Sequence, residues 1–137
     1  MGLIRFALAL ALVISFHVSI GASDQTQLEM NQEACGNYKK ADLELNQMYL
    51  KILRDYSGDK NFVQKMKVAQ RAWVAFRDAH LDSIYPDTSP GTYGSVNPVC
   101  RCEILAGLTK DRIKALRDWA DGVEEGYVCS GSQKFKK

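Results

Sequence analysis

Four cysteines, Cys35, Cys100, Cys102 and Cys129, carry the plainest chemistry in this chain. In an oxidising compartment an even set of this kind reads as two disulfides. A metal site is the competing use, because Cys100-x-Cys102 resembles half of one. Structural zinc sites, however, use C-x2-C with a second pair, and beyond the N-terminal leader the only histidine is His80. The cysteines are therefore expected as disulfides, with no metal and no cofactor. One intervening residue would make a Cys100–Cys102 ring strained. The preferred pairing joins Cys35 to Cys100 and Cys102 to Cys129, with the swapped pairs left open.

Catalysis would need a nucleophile, a base and an orienting group in a recognisable pattern. The chain contains no G-x-S-x-G, no H-E-x-x-H and no phosphate-cradling loop. His80 between Asp78 and Asp82 comes nearest to an acid–base pair, yet residues two apart on a helix point in different directions. A non-enzymatic protein is expected. A hydrolytic role would require His80→Ala to abolish an activity while leaving the fold intact.

Two other groups of residues stand out. Asp42, Asn46 and Tyr49 recur at steps of four and three beside an apolar stripe, and Arg77 lies beside another. Asp42 paired with Arg77 or Arg112, with hydrogen bonds from Asn46 and Tyr49, reads as a structural polar network that fixes helix register. Tyr85, Tyr93, Ser95 and Val96 belong to a turn-rich loop that suits protein recognition, with aromatic anchors and adaptable hydroxyls.

The elements that must position these residues are helical. Phe62, Met66, Ala69, Trp73, Phe76, His80 and Ile84 draw one stripe at steps of four and three, uninterrupted by Pro or Gly until Pro86. Such a stripe is expected to be covered by other helices. Before it, Thr26-Gln27-Leu28-Glu29 fits a capping box, followed by a stripe of Ala34, Tyr38, Ala41, Leu45, Met48 and Ile52, widened by Leu53 and Tyr56. Ser57-Gly58-Asp59 breaks the two apart, with Asp59 as the next N-cap. So short a link makes the helices antiparallel neighbours, with Cys35 and Leu81 near the open end. The loop from Pro86 to Pro98 holds all three prolines. A short helical piece, Cys102 to Ala106, is expected before Gly107, with Thr109 capping a third helix from Lys110 to Ala120. Ile113, Leu116, Trp119, Ala120 and Val123 complete the core. The tail to Lys137 is expected to be irregular, pinned at Cys129, with a frayed basic end at Lys134, Lys136 and Lys137. The fold class is all-α: a long antiparallel hairpin, a third packed helix, and a disulfide-stapled loop and C-terminal tail.

The first residues have the layout of a secretory signal peptide: Arg5, an apolar run of about 15 residues, then Gly21-Ala22-Ser23. The expected organisation is a signal peptide over residues 1–22 and a single helical domain over 24–137, periplasmic or secreted. The run is short of the ~20 residues that span a bilayer, so no stable membrane span is expected once it is removed. The chain has 18 basic and 16 acidic residues, a net charge of +2. Removing the leader takes only Arg5 and leaves +1. No clustered basic face points to nucleic acid. The sequence assigns no oligomeric state.

Further residues point to a family. Ala41-Asp42-x-x-Leu45-Asn46-x-x-Tyr49, then Ala69-Gln70-Arg71-Ala72-Trp73-x-x-Phe76-Arg77-Asp78-Ala79, then Gly94-Ser95-x-x-Pro98-x-Cys100 and Leu108-Thr109-x-x-Arg112-x-x-x-Leu116 fall in an order that resembles the lysozyme inhibitor LprI-like family. The resemblance covers about Gln25 to Trp119, and its middle motif is the most specific. It implies a small helical envelope protein with a protein partner, lysozyme being the family's namesake target. Many members carry a Cys where this chain has Leu81, which implies that Cys100 or Cys102 takes its place here. No inhibitory contact residue is carried over. Asp118, Asp121, Glu124 and Glu125 form a local acidic patch that could meet a cationic target. The alternative is a general envelope binding or assembly module.

Overall fold

A computed structural model describes residues 26–137; the expected leader lies outside the described residues. Three helices make up the body: α1 (Gln27–Asp55), α2 (Lys60–Ile84) and α3 (Asn97–Asp121). The N-terminus of α1 is closed by the expected capping box. Thr26 Oγ1 accepts from the Glu29 amide at 3.2 Å, and the Thr26 amide donates to Glu29 Oε2 at 2.8 Å. Asp59 caps α2, its Oδ1 accepting from the Phe62 amide at 2.9 Å.

The third helix departs from expectation. It runs unbroken from Asn97 to Asp121, with Pro98 in its first turn, rather than as a short piece from Cys102 to Ala106 and a separate helix from Lys110 capped by Thr109. Gly107 sits inside it and does not end it. A lone helical glycine costs only about 1 kcal/mol, and burial of Ala106, Thr109, Ile113 and Leu116 outweighs that. Thr109 is no cap but a fully buried residue, 0% exposed.

The Cys35–Cys102 bond near the start of both helices, and the Lys51 Nζ contact to the Ala120 carbonyl near their ends, show that α1 and α3 run parallel. Asp42 meets Arg77, and Arg112 meets Gln70, so α2 runs antiparallel to both. The closest packing is between α1 and α3. Small buried residues explain it: Ala34 and Ala41 on α1, Ala106 and Thr109 on α3, let the backbones approach. Helix α2 stands further off and meets the pair through longer side chains. Leu45, Ile52, Tyr56, Phe62, Met66, Ile113 and Leu116 form the core cluster, with Trp73, Trp119 and Tyr49 packed against it.

The stripe on α1 is buried as expected, but that on α2 is only half so. Phe62 and Met66 are buried and Trp73 is half-buried, whereas Ala69, Phe76, His80 and Ile84 are exposed. The residues facing the pair beyond Met66 are Gln70, Arg77 and Leu81. At about 100° per residue Gln70, Arg77 and Leu81 lie about 60–100° round the helix from Phe62, whereas Phe76 and His80 stay near the line of Phe62. The buried line therefore winds away from the predicted stripe after the first two turns.

The tail is neither frayed nor pinned at Cys129. The Val123 amide donates to Lys134 O at 2.8 Å and the Lys136 amide to Val123 O at 2.9 Å, making a single parallel bridge between Val123 and Phe135. Trp119 Nε1 donates to Ser132 Oγ at 3.0 Å, and the Lys134 amide to the Tyr56 hydroxyl at 3.1 Å. Gly122 makes the turn at φ +86°, where a Cβ would lie 3.0 Å from the Lys134 carbonyl. Two lysines finish the closed end electrostatically. Lys51 reaches the last carbonyls of α3 and Lys134 those of α1, each a cation at the negative end of a helix dipole.

Candidate functional site

The open end of the bundle brings together most of the residues singled out from the sequence. Cys35 on α1 is bonded to Cys102 on α3, closing a sequence separation of 67 residues. This corrects the preferred Cys35–Cys100 pairing. Cys100 and Cys102 are two apart, so on one helix they face different sides, and Cys102 is the one turned toward α1. Cys100 is a half-buried thiol beside Tyr85, whose phenol is pushed above its ordinary pKa by burial first and then by that thiol. Cys129 is an exposed thiol. The tail is tied to the far end of α3 on both sides of Cys129, at Val123 and Ser132. With about 30 Å of helix between the two ends, Cys129 is out of bonding range of Cys100 and Cys102 alike. Neither second disulfide forms.

The polar network assembles along the middle of α2. Asn46 Nδ2 donates to Asp42 Oδ2 at 3.0 Å, and Arg77 Nη1 lies 3.6 Å from Asp42 Oδ1. Arg77 binds Asp78 more closely, at 2.8 Å. Arg112 turns instead to Gln70, donating from Nε to Oε1 at 3.1 Å. Both guanidiniums address the Trp73 ring, Arg77 at 5.4 Å and Arg112 at 6.0 Å from its centroid. Burial draws the Arg112 guanidinium below its ordinary pKa. Tyr49 packs against the core and takes no part in these bonds. The Asp42 side chain is 40% exposed, so its pair with Arg77 contributes at most about 1 kcal/mol. Gln70 and Trp73 are the members that sequence reasoning missed. The signal was there in Gln70, one helical step of four beyond Met66.

Between α2 and α3 the chain forms a self-braced loop. Tyr85 and Tyr93 meet edge to face with centroids 5.0 Å apart, and Arg101 lies over the Tyr85 ring, 5.4 Å from its centroid. The Asp87 amide donates to the Tyr93 hydroxyl at 2.9 Å, and the Ser89 amide to Asp87 Oδ1 at 2.7 Å. Gly91 and Gly94 turn the chain at φ +83° and +73°. A shallow cleft of about 310 Å³ lies between the loop, Asp82 and Arg101. The two tyrosines thus serve as internal braces, while Ser95 and Val96 project; Val96 is 49% exposed.

The Asp87 carboxyl is held below its ordinary pKa by the Ser89 amide, then by the Ser89 and Thr92 hydroxyls. A depressed carboxyl supports the folded loop fully above its ordinary value and loses that support as pH falls through the depressed one. Side-chain carbon shifts of Asp87 in an NMR titration should therefore move at lower pH than those of an unstructured Asp. The Ser89 amide signal should move with them, and Asp87→Asn should remove the transition.

His80, expected on the buried face, is exposed and stacks on Phe76 with ring centroids 5.6 Å apart. The acidic residues at the end of α3 are also exposed, and Lys136 binds Glu124 among them. Among the described residues, no helix is long and apolar enough to cross a membrane, and no group of three or more His, Cys, Asp or Glu residues is placed to hold a metal ion.

The family model described as "Lysozyme inhibitor LprI" matches residues 20–116, which include all three helices up to Leu116 and leave out the tail. An uncharacterized protein of Rhizobium meliloti (strain 1021) is 28% identical over 110 residues, covering 72% of this chain and 77% of that one. No solved structure gives a significant match.

Proposed function

This chain belongs to the lysozyme inhibitor LprI family, and on that premise we propose that it is an exported envelope protein that binds another protein, lysozyme being the first candidate, through the loop at its open end. The observation that carries this reading is the bracing of the loop. Tyr85, Tyr93, Asp87 and Arg101 hold it from within, and the Cys35–Cys102 bond joins the helices at its base. A loop ordered before binding loses little conformational entropy on entering a cleft. Ser95 and Val96 are then the groups offered to the partner, at the rim of a rigid end rather than on a mobile strand.

Adding the purified, oxidised protein to a lysozyme lysis assay tests this directly. Inhibition at micromolar concentration that is lost in Val96→Asp supports both the target and the loop. Unchanged lysis removes lysozyme as the target. Inhibition that survives Val96→Asp moves the contact elsewhere. The charge favours a second reading. Without its leader the chain carries a net charge of +1, and its C-terminal acidic patch is partly bound by its own Lys136, so its overall charge does not steer it to a basic enzyme. That suits a more general envelope binding module, and pull-down from a periplasmic extract with wild type and Val96→Asp would identify its partner.

A further inference from the structure

Among the described residues, none covers the outward side of α2. Val68, Ala69, Ala72, Ala75, Phe76 and Ala79 are all exposed, Val68 by 46% and Phe76 by 54%. Val68, Ala72, Ala75 and Ala79 follow one another at steps of four, three and four, the spacing with which one helix seats against another. Phe76 stands at their edge, backed by the His80 ring. A contiguous apolar helix face with a half-exposed phenylalanine marks an interaction surface rather than scattered surface residues.

Charge identifies the occupant. Every cation of α2, namely Lys60, Lys65, Lys67, Arg71 and Arg77, precedes its two acids, Asp78 and Asp82. That order opposes the helix dipole, which favours anions at the N-terminus and cations at the C-terminus. An antiparallel copy of the same helix reverses both the charges and the dipole. With a two-fold axis passing between Trp73 and Val74, Val68 meets Ala79 of the second copy and Ala72 meets Ala75. Lys65 meets Asp82 and Arg71 approaches Asp78, each contact occurring twice. Phe76 then lies over Ala69 and Ala72 of the second copy, where small side chains leave room for its ring. Among the described residues Asp82 has a 3.9 Å contact with Arg101 to give up, while Asp78 is already held by Arg77 at 2.8 Å and would share its carboxylate.

We propose that α2 pairs antiparallel with α2 of a second copy of this chain, forming a symmetric dimer. One helix face is a small interface, so the dimer is reversible and of micromolar strength. It leaves the loop at the open end free and does not rest on lysozyme binding.

Sedimentation velocity of the full exported chain tests it, from about 1 to about 300 µM, in a Cys129→Ser background so that intermolecular disulfides do not contribute. The expected result is a concentration-dependent monomer–dimer equilibrium. It should weaken between about 0.05 and about 0.5 M salt and be lost in Phe76→Glu, whose circular dichroism stays native. Lys65→Glu and Asp82→Lys should each weaken the dimer about 5-fold or more, and the double reversal should restore it to within about 2-fold. A sharp monomer at every concentration overturns the proposal. So does a dimer indifferent to Phe76→Glu, or single reversals that weaken it without rescue by the double.

Discussion

Cys35→Ser is expected to lower stability by about 4 kcal/mol, because the bond it removes closes a sequence separation of 67 residues. In a domain of this size that corresponds to a melting temperature roughly 15 °C lower. Cys35 is the clean choice of partner. Removing Cys102 instead leaves Cys35 free beside the α3 turn that carries Cys100, and the two could bond if that first turn frayed. Cys100→Ser and Cys129→Ser should each change stability by less than about 1 kcal/mol, since both are thiols outside the bond. Urea unfolding of the oxidised variants, with non-reducing peptide mapping of the wild type, measures both. A costly Cys100→Ser alongside a Cys35–Cys100 peptide would show that the first turn of α3 sits in another register.

That cross-link also shows what was legible beforehand and what was not. The starts of α1 and α2 were readable, because Thr26 and Asp59 each act through a side chain bonded to an amide three residues on. The first stripe was readable as well, since Ala34, Ala41, Leu45 and Ile52 face a close neighbour along their whole length. The end of α3 nearest the loop was not. Gly107 and Thr109 are locally a break and a cap, and only packing against α1 overrides them. Disulfide choice between Cys100 and Cys102 depends on which of two helical directions points at α1, which no count of cysteines contains. At the candidate site Asp42–Arg77 was one of two pairings the sequence left open, and Arg112 with Gln70 required knowing that α2 runs antiparallel to α3 in one particular register. The tail was missed for a related reason. Its bonds to Tyr56 and Trp119 join residues distant in sequence, through polar atoms that carry no periodicity.

The same contrast between local pattern and packing gives the second large effect. Leu116 and Phe76 both sit in apolar patterns on helices, yet one is 0% exposed and the other 54%. Leu116→Ala should cost about 3 kcal/mol, the lost transfer energy plus an unfilled space among Leu45, Ile52 and Ile113. Phe76→Ala removes more atoms but should cost no more than about 0.5 kcal/mol when the protein is dilute, because the ring is already half in water. Its effect should be on self-association instead. Chemical unfolding at about 1 µM, where dimer is negligible, separates the two terms. Equal losses for both substitutions would mean that the phenylalanine is covered within the monomer and that α2 turns a different face inward. A large loss at Leu116 alone fixes the inward face of the bundle as the one built on Leu45, Ile52, Met66 and Leu116. It leaves Phe76, on the outward face of α2, with the His80 ring as its aromatic partner among the described residues and the rest of its ring open to a second molecule.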